Sequence, residues 1–365
     1  MNFVELTADS IHAAFRSSGK THLLITGGRK TGKTTLLKKL FPTPMHGITT
    51  WAVAKEQVCM RRNGTDETAR IGVYDAALGG RENKMQICPE GFLNMGIPVL
   101  QSCMESEDTW VTIDEIGYLE ASCPEYRETV LQLFEKKQVA AVVRKQDLSF
   151  LNDLCLRRDV FLVDLDAPLG TMGCVIMASG LGKRFGSNKL MADFDGYPLI
   201  ERALLATDGM FSHRVVVTRS QETAQYCRSR GTDVILHELP GRNDTVRLGL
   251  QRMDQTEGCL FCPGDQPLLS RDTVAAIVLA AKNVPGSICR PICGEEVGAP
   301  ILFPDALYDA LCHLPQGKGG GYIVKQHPEQ ILTVRIQDPY ELMDVDTQKD
   351  LALLAHERAC RRASV

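Results

Sequence analysis

At 365 residues the chain exceeds the size at which one hydrophobic core usually stops growing, so two domains are expected. A hydrophobic fraction of 44%, a charged fraction of 24% and a formal net charge of −4 describe an ordinary globular composition. They argue against a general grip on nucleic acid and leave any phosphate binding to local sites. No apolar run approaches the roughly 20 residues that span a bilayer, and the first ten residues lack a basic segment followed by an apolar core, so a cytoplasmic protein without a membrane partner is expected.

Thirteen cysteines, scattered through apparent strands and helices, read as reduced thiols used mainly as small hydrophobes. Cys259 and Cys262 form the one close pair, but three positions apart in a strand they point to opposite faces, which argues against a redox or zinc site.

Residues 1–20 read as an amphipathic helix leading into a first domain. His22-Leu-Leu-Ile-Thr26 is an apolar strand, and Gly27-Gly-Arg-Lys-Thr-Gly32-Lys33-Thr34 after it matches Gly-x-x-x-x-Gly-Lys-Thr at every fixed position, a P-loop. Its glycines expose backbone N–H groups to phosphates, Lys33 reaches the terminal ones, Thr34 offers a hydroxyl to Mg²⁺, and the helix from Thr34 points its N-terminus at the anion. Gly27, Gly32, Lys33, Thr34 and Thr35 are the expected nucleotide contacts. Two short strands, 47–53 and 70–75, separated by the polar stretch 61–66, suggest a hairpin inserted into the α/β core. Thr109-Trp-Val-Thr-Ile-Asp114-Glu115 is a hydrophobic strand ending in two carboxylates, where Asp114 would hold magnesium and Glu115 would orient or deprotonate an attacking water. Helices over 125–137 and 148–156 and strands over 139–143 and 160–163 complete an alternation typical of a parallel sheet with covering helices. Arg157 and Arg158 read as solvated.

The order of P-loop, hairpin and Asp-Glu-Ile-Gly resembles a family of small nucleoside triphosphatases first known from thermophiles. That resemblance implies slow hydrolysis of several nucleoside triphosphates by residues 1–168.

Pro168 and Gly170 mark a linker, and a fresh strand begins near Met172. Val175-Ile-Met runs into Ala178-Ser-Gly180-Leu181-Gly182-Lys-Arg184-Phe-Gly186-Ser-Asn-Lys189, a glycine-rich turn with basic residues, suited to an anion. Strands over 214–218 and 233–236 flank a helix over 221–230, and Asp244 or Thr245 reads as the cap of the next helix. Gly258-Cys-Leu-Phe-Cys-Pro emerges into Gly264-Asp265-Gln-Pro267. Lys318 lies in a flexible glycine loop, and Thr347 within Asp344-Val-Asp346-Thr-Gln-Lys-Asp350 opens a C-terminal helix.

This second half resembles the nucleotidyltransferases related to the molybdenum cofactor enzymes. The resemblance implies a Rossmann-like domain over 172–365, so that the whole chain is α/β with two doubly wound domains. Ala178, Gly180, Leu181, Gly182 and Lys189 would then wrap the triphosphate, Arg184 and Lys189 would neutralise the leaving pyrophosphate, and Asp265 with Asp346 would ligate Mg²⁺. The closing aspartates and Gly-Asp-Gln-Pro lean toward cytidylyl transfer from CTP to a molybdopterin-type acceptor, which would serve a molybdenum hydroxylase. Ala299 stands where the family commonly has a His, which leaves the acceptor open. A sugar- or alditol-phosphate nucleotidyltransferase and a cofactor-loading chaperone are the alternative readings.

Overall fold

A computed structural model describes residues 6–43, 45–53, 55–78, 84–180, 182 and 184–363. They fall into two units: Gly19–Pro168, and the described residues up to Ser18 together with those from Leu169 onward.

In the first unit, His22–Thr26 (β1) is buried at every position, as a strand covered on both faces must be. The other strands are Gly47–Val53 (β2), Gln57–Arg62 (β3), Thr68–Tyr74 (β4), Met85–Ile87 (β5), Trp110–Ile116 (β6), Gln138–Val143 (β7) and Val160–Asp164 (β8). Their order is β5-β4-β3-β2-β6-β7-β1-β8. The run from β2 through β6, β7 and β1 to β8 is parallel, whereas β2 to β5 form an antiparallel meander. The expected inserted hairpin is therefore corrected to three added strands, and Arg61 and Arg62 belong to β3 instead of a connecting loop. β3 escapes a sequence reading because only Met60 is fully buried within it, so the hydrophobic alternation is faint. β2 opens at Gly47 for a steric reason: a Cβ there would lie 1.9 Å from the Thr112 carbonyl oxygen. Tyr126 and Phe92 pack ring against ring at 4.9 Å beneath the sheet, in a core shared with Ile113, Val130 and Leu133.

The second unit is built on Met172–Ala178 (β9), Asp193–Phe194 (β10), Tyr197–Pro198 (β11), His213–Thr218 (β12), Asp233–Leu236 (β13), Gly258–Pro263 (β14), Ile288–Cys293 (β15), Glu296–Val297 (β16), Ile301–Pro304 (β17) and Ile331–Arg335 (β18). The main sheet runs β13-β12-β9-β14-β17-β15-β16, with β18 beside β15. The chain moves outward from β9 through β12 to β13, then returns to pair β14 on the other side of β9, parallel to it. That reversal is a topological switch point, and a crevice opens beyond the C-terminal ends of two strands that diverge in this way.

The helix Ala8–Ser18 packs on the helix Arg271–Asn283 and on β18 of this second unit. Thr7 donates to Asp272 at 2.9 Å, and the Arg335 N–H donates to Ser17 Oγ at 3.3 Å. The expectation that residues 1–20 lead into the first domain is corrected accordingly. Ile11 and Ala14 make an apolar stripe that any complementary face can bury, and the stripe does not say which.

All thirteen cysteines are free thiols. Cys259 and Cys262 are both buried, and burial pushes the Cys262 thiol up to about 12. Among the described residues, no helix is long and apolar enough to cross a membrane.

Candidate active sites

β1 delivers the chain into Gly27 at φ 142°, where a Cβ would stand 3.0 Å from Thr31 Oγ1 and 3.1 Å from Leu165 Cβ. Gly32, at φ 92°, turns it into the helix Lys33–Leu40. Lys33 Nζ donates to the Gly27 and Gly28 carbonyls at 2.9 and 2.6 Å, so the ammonium is held over its own loop. The Gly28 N–H donates to the Asp166 carboxylate, which also pairs with Lys145 at 2.9 Å.

One strand separates β1 from β6, and the loop meets the β6 carboxylates across that gap. Thr34 Oγ1 donates to Asp114 Oδ1 at 3.0 Å, and burial raises the Asp114 pKa above the ordinary carboxylate range. Glu115 accepts from Arg144 Nε at 2.5 Å. It lines a cavity of about 340 Å³ with Arg29, Trp51, Tyr118, Glu120 and Arg144. Burial pushes the Glu120 carboxyl up to about 7 while it accepts the Gly117 N–H at 2.8 Å. Thr35 is exposed on the first turn of the helix.

In the second unit the crevice holds a cavity of about 770 Å³. Gly180 has open space where a Cβ would be, whereas Gly182, at φ 57°, brings the loop so close that a Cβ would stand 2.6 Å from the Ser187 carbonyl oxygen. Ala178 ends β9, and its carbonyl accepts the Thr218 hydroxyl at 3.0 Å. Asp265 follows β14, where the Gly264 N–H donates to the Met177 carbonyl at 3.1 Å and pins the two strand ends together.

Lys189 joins these pieces. Its buried ammonium lies 2.6 Å from Asp265 and 3.0 Å from Asp346, and it donates to the Val345 carbonyl at 2.7 Å. Burial works against its charge, but the two carboxylates outweigh that and raise its pKa. Arg184 reaches Asp346 at 2.9 Å. The result is an alternating chain, Arg184–Asp346–Lys189–Asp265, that reaches the crevice at Asp265.

Residues 22–168 match the family model described as NTPase, and residues 174–331 match that of the MobA-like NTP transferase domain. The chain joins an NTPase unit to a MobA-like transferase unit. Both units are those of enzymes, a nucleoside triphosphatase and a nucleotidyltransferase. The first resembles the nucleoside-triphosphatase THEP1 of Thermotoga sp. (strain RQ2), 27% identical over 40% of this chain and 86% of that protein. The second resembles a probable molybdenum cofactor guanylyltransferase of Natranaerobius thermophilus, 25% identical over 39% of this chain and 68% of that protein. Among solved structures, a nucleotidyl transferase from Methanothermobacter thermautotroptrophicus is 20% identical, with a TM-score of 0.46 over 52% of this chain and 99% of that one.

The NTPase unit brings Gly27, Gly32, Lys33, Thr34 and Asp114 to one place, with Glu115 next along β6. The transferase unit brings Gly180, Gly182 and Asp265 to the crevice, with Lys189 paired to Asp265, while Leu181 lies outside the described residues. Asp346 is engaged by Arg184 and Lys189, and the carboxylate that lines the cavity beside Asp265 is Asp344. Burial and the Asp265 charge push Asp344 up to about 6. Sequence reasoning preferred Asp346, because the spacing of two aspartates cannot rank them. It also missed Arg144, which lies at a strand end outside any motif, and Arg219, whose guanidinium donates to the Ser179 carbonyl on the cavity wall. Asp244 does cap its helix, but from within the first turn, accepting the Gly241 N–H at 3.0 Å. Thr347 and Asp350 form a reciprocal capping pair, the Thr347 N–H donating to Asp350 at 2.7 Å and the Asp350 N–H to Thr347 Oγ1 at 3.3 Å. Arg157 pairs with Asp159 and Glu135 and is unavailable to phosphate.

The donor chemistry of both sites suits a divalent cation. Asp265 and Asp344 offer hard oxygens from two separate segments, and Thr34 with Asp114 does the same in the NTPase unit. No group of three or more His, Cys, Asp or Glu gathers as a metal cage among the described residues. Two protein oxygens with the rest left to water and phosphate is the usual arrangement for a metal that travels with a nucleotide.

Proposed function

We propose that the transferase unit moves CMP from CTP to the phosphate of molybdopterin and releases pyrophosphate, with Mg²⁺ held by Asp265 and Asp344. The observation that carries this reading is the chain Arg184–Asp346–Lys189–Asp265, which ends at Asp265 in a cavity of about 770 Å³ that Gly180, Gly182 and Asp344 also line. Gly180 and Gly182 admit the triphosphate against backbone N–H groups. An acceptor phosphate oxygen attacks the α-phosphorus, the bond from that phosphorus to the bridging oxygen of the β-phosphate breaks, and pyrophosphate leaves with the electron pair. Lys189 and Arg184 balance the charge that grows on the leaving group. The bound cation supplies Lewis-acid neutralisation of the phosphate oxygens.

Cytidine is the base toward which the family resemblance leans, through the closing aspartates and Gly264-Asp265-Gln266-Pro267. A curated relative named 3-deoxy-manno-octulosonate cytidylyltransferase, from Zea mays, uses the same base by its name. GTP is the second reading, because two relatives are named probable molybdenum cofactor guanylyltransferases. Mixing the chain with Mg²⁺, molybdenum cofactor and each radiolabelled nucleoside triphosphate decides the matter. Labelled pterin and pyrophosphate with CTP alone support the proposal, and labelled pterin with GTP alone replaces it.

In the NTPase unit we infer hydrolysis of nucleoside triphosphates, with Lys33 and Thr34 holding phosphate and Mg²⁺, Asp114 holding the metal through water, and Glu115 activating the attacking water. Lys33→Ala should abolish orthophosphate release and leave pyrophosphate release intact. Orthophosphate release that survives in that variant would assign hydrolysis elsewhere.

A further inference from the structure

The transferase cavity also carries charges that the nucleotide chemistry does not use. Arg242, at the start of the helix Arg242–Leu250, and Lys318 and Lys325, on either side of the glycine run 319–321, all line it. Each is exposed, and none of the three pairs with a carboxylate of the described residues. By contrast, Arg184 and Lys189 are both paired with carboxylates.

The placement is built by the fold. The Gly317 N–H donates to Asn243 Oδ1 at 2.9 Å and ties the loop to the helix that carries Arg242. A Cβ at Gly319 would stand 3.9 Å from Arg242 Cδ, and one at Gly320 would press on the Phe303 ring at 3.0 Å. The glycines therefore let the loop lie flat against β17 and hold Lys318 and Lys325 at one rim. Three like charges on one cavity wall repel one another unless an anion joins them, and a phosphate dianion takes charge-assisted hydrogen bonds from all three.

We propose that Arg242, Lys318 and Lys325 form an anion subsite that holds the phosphate of the acceptor, a phosphomonoester, in the cavity that the metal carboxylates also line. The subsite rests on the transferase reading above, in which the nucleotide's own triphosphate is met by the glycine loop, Arg184, Lys189 and the metal. It would place the attacking oxygen between the cations and the α-phosphorus, so that approach along the cavity is in line with the leaving group.

The test uses the full chain carrying Lys33→Ala, which silences phosphate binding at the P-loop, in the presence of Mg²⁺ and saturating α,β-methylene CTP. Inorganic phosphate is titrated by calorimetry into this protein, into a Lys318→Met, Lys325→Met version and into a Lys318→Arg, Lys325→Arg version. The expected result is phosphate affinity about tenfold or more weaker with the methionines, kept with the arginines, and unchanged affinity for the CTP analogue. Phosphate affinity unchanged by the methionines would overturn the subsite. So would a matched loss of analogue affinity, which would give these cations to the nucleotide's triphosphate. If the analogue fails to bind even with Lys318 and Lys325 intact, the cytidylyl reading has failed, and the same titration with the guanosine analogue still reads the subsite.

Discussion

Lys189 is the residue on which the transferase crevice depends. It bridges Asp265 and Asp346, and without it Asp265 and Asp344 would face each other as like charges with less to offset them. Lys189→Met should leave the fold intact and lower pyrophosphate release by about 10²–10³-fold, the usual effect of removing one preorganised electrostatic partner. Asp344 and Asp346 are separable in the same assay. Asp344→Asn should raise the Mg²⁺ concentration needed for half-maximal turnover by more than Asp346→Asn does, and the reverse order would return the metal to Asp346. In the NTPase unit, Glu120 carries a pH prediction. Its folded pKa is raised to about 7 by burial, so the native state keeps a proton that the unfolded chain gives up above its ordinary 4.5. The stability this contributes is complete below pH 4.5 and is lost as pH rises toward 7, by no more than about 3 kcal/mol. Urea unfolding at pH 5 and pH 8 should show that loss in the parent protein, and Glu120→Gln should flatten it.

At the scale of elements, close approach controls how helices meet the second sheet. Gly249, in the helix Arg242–Leu250, faces Val175 of β9, where a Cβ would come within 2.6 Å of both Val175 γ-carbons. Gly249→Val should destabilise the transferase unit by about 1–3 kcal/mol through overpacking, read as a lower urea midpoint at unchanged slope. The parallel strands β1, β6, β7, β9 and β14 were legible because burial on both faces demands apolar runs. β3 was not, since its half-exposed mixture of Val58, Cys59 and Arg61 has no period that separates it from a polar turn. The capping of the helix at 348–363 was legible at Thr347, whose partner Asp350 lies three residues on. The partners of Glu115 and Asp344 were not, because Arg144 and Gln266 come from segments that only pairing and packing bring near.

For the whole molecule, the first described helix, Ala8–Ser18, belongs to the transferase unit, the chain then builds the NTPase unit, and it returns at Leu169. Removing residues 1–18 should therefore destabilise the transferase unit, by uncovering the helix Arg271–Asn283 and β18, and spare the NTPase unit. Differential scanning calorimetry with CTP and with a P-loop nucleotide added separately would identify which transition moves. A fall in the NTPase transition instead would contradict the assignment.

The sequence by itself determined the two α/β units with their buried parallel strands, the P-loop with its acidic strand end, and the glycine loop with Lys189 and Asp265, because each is written in contiguous residues whose local geometry and chemistry coincide. Tertiary structure alone decided which carboxylate lines the cavity, which cations line it unpaired, and which unit claims the first helix. Those outcomes depend on contacts between residues tens to hundreds of positions apart, and no local pattern records the distance at which two such side chains will meet.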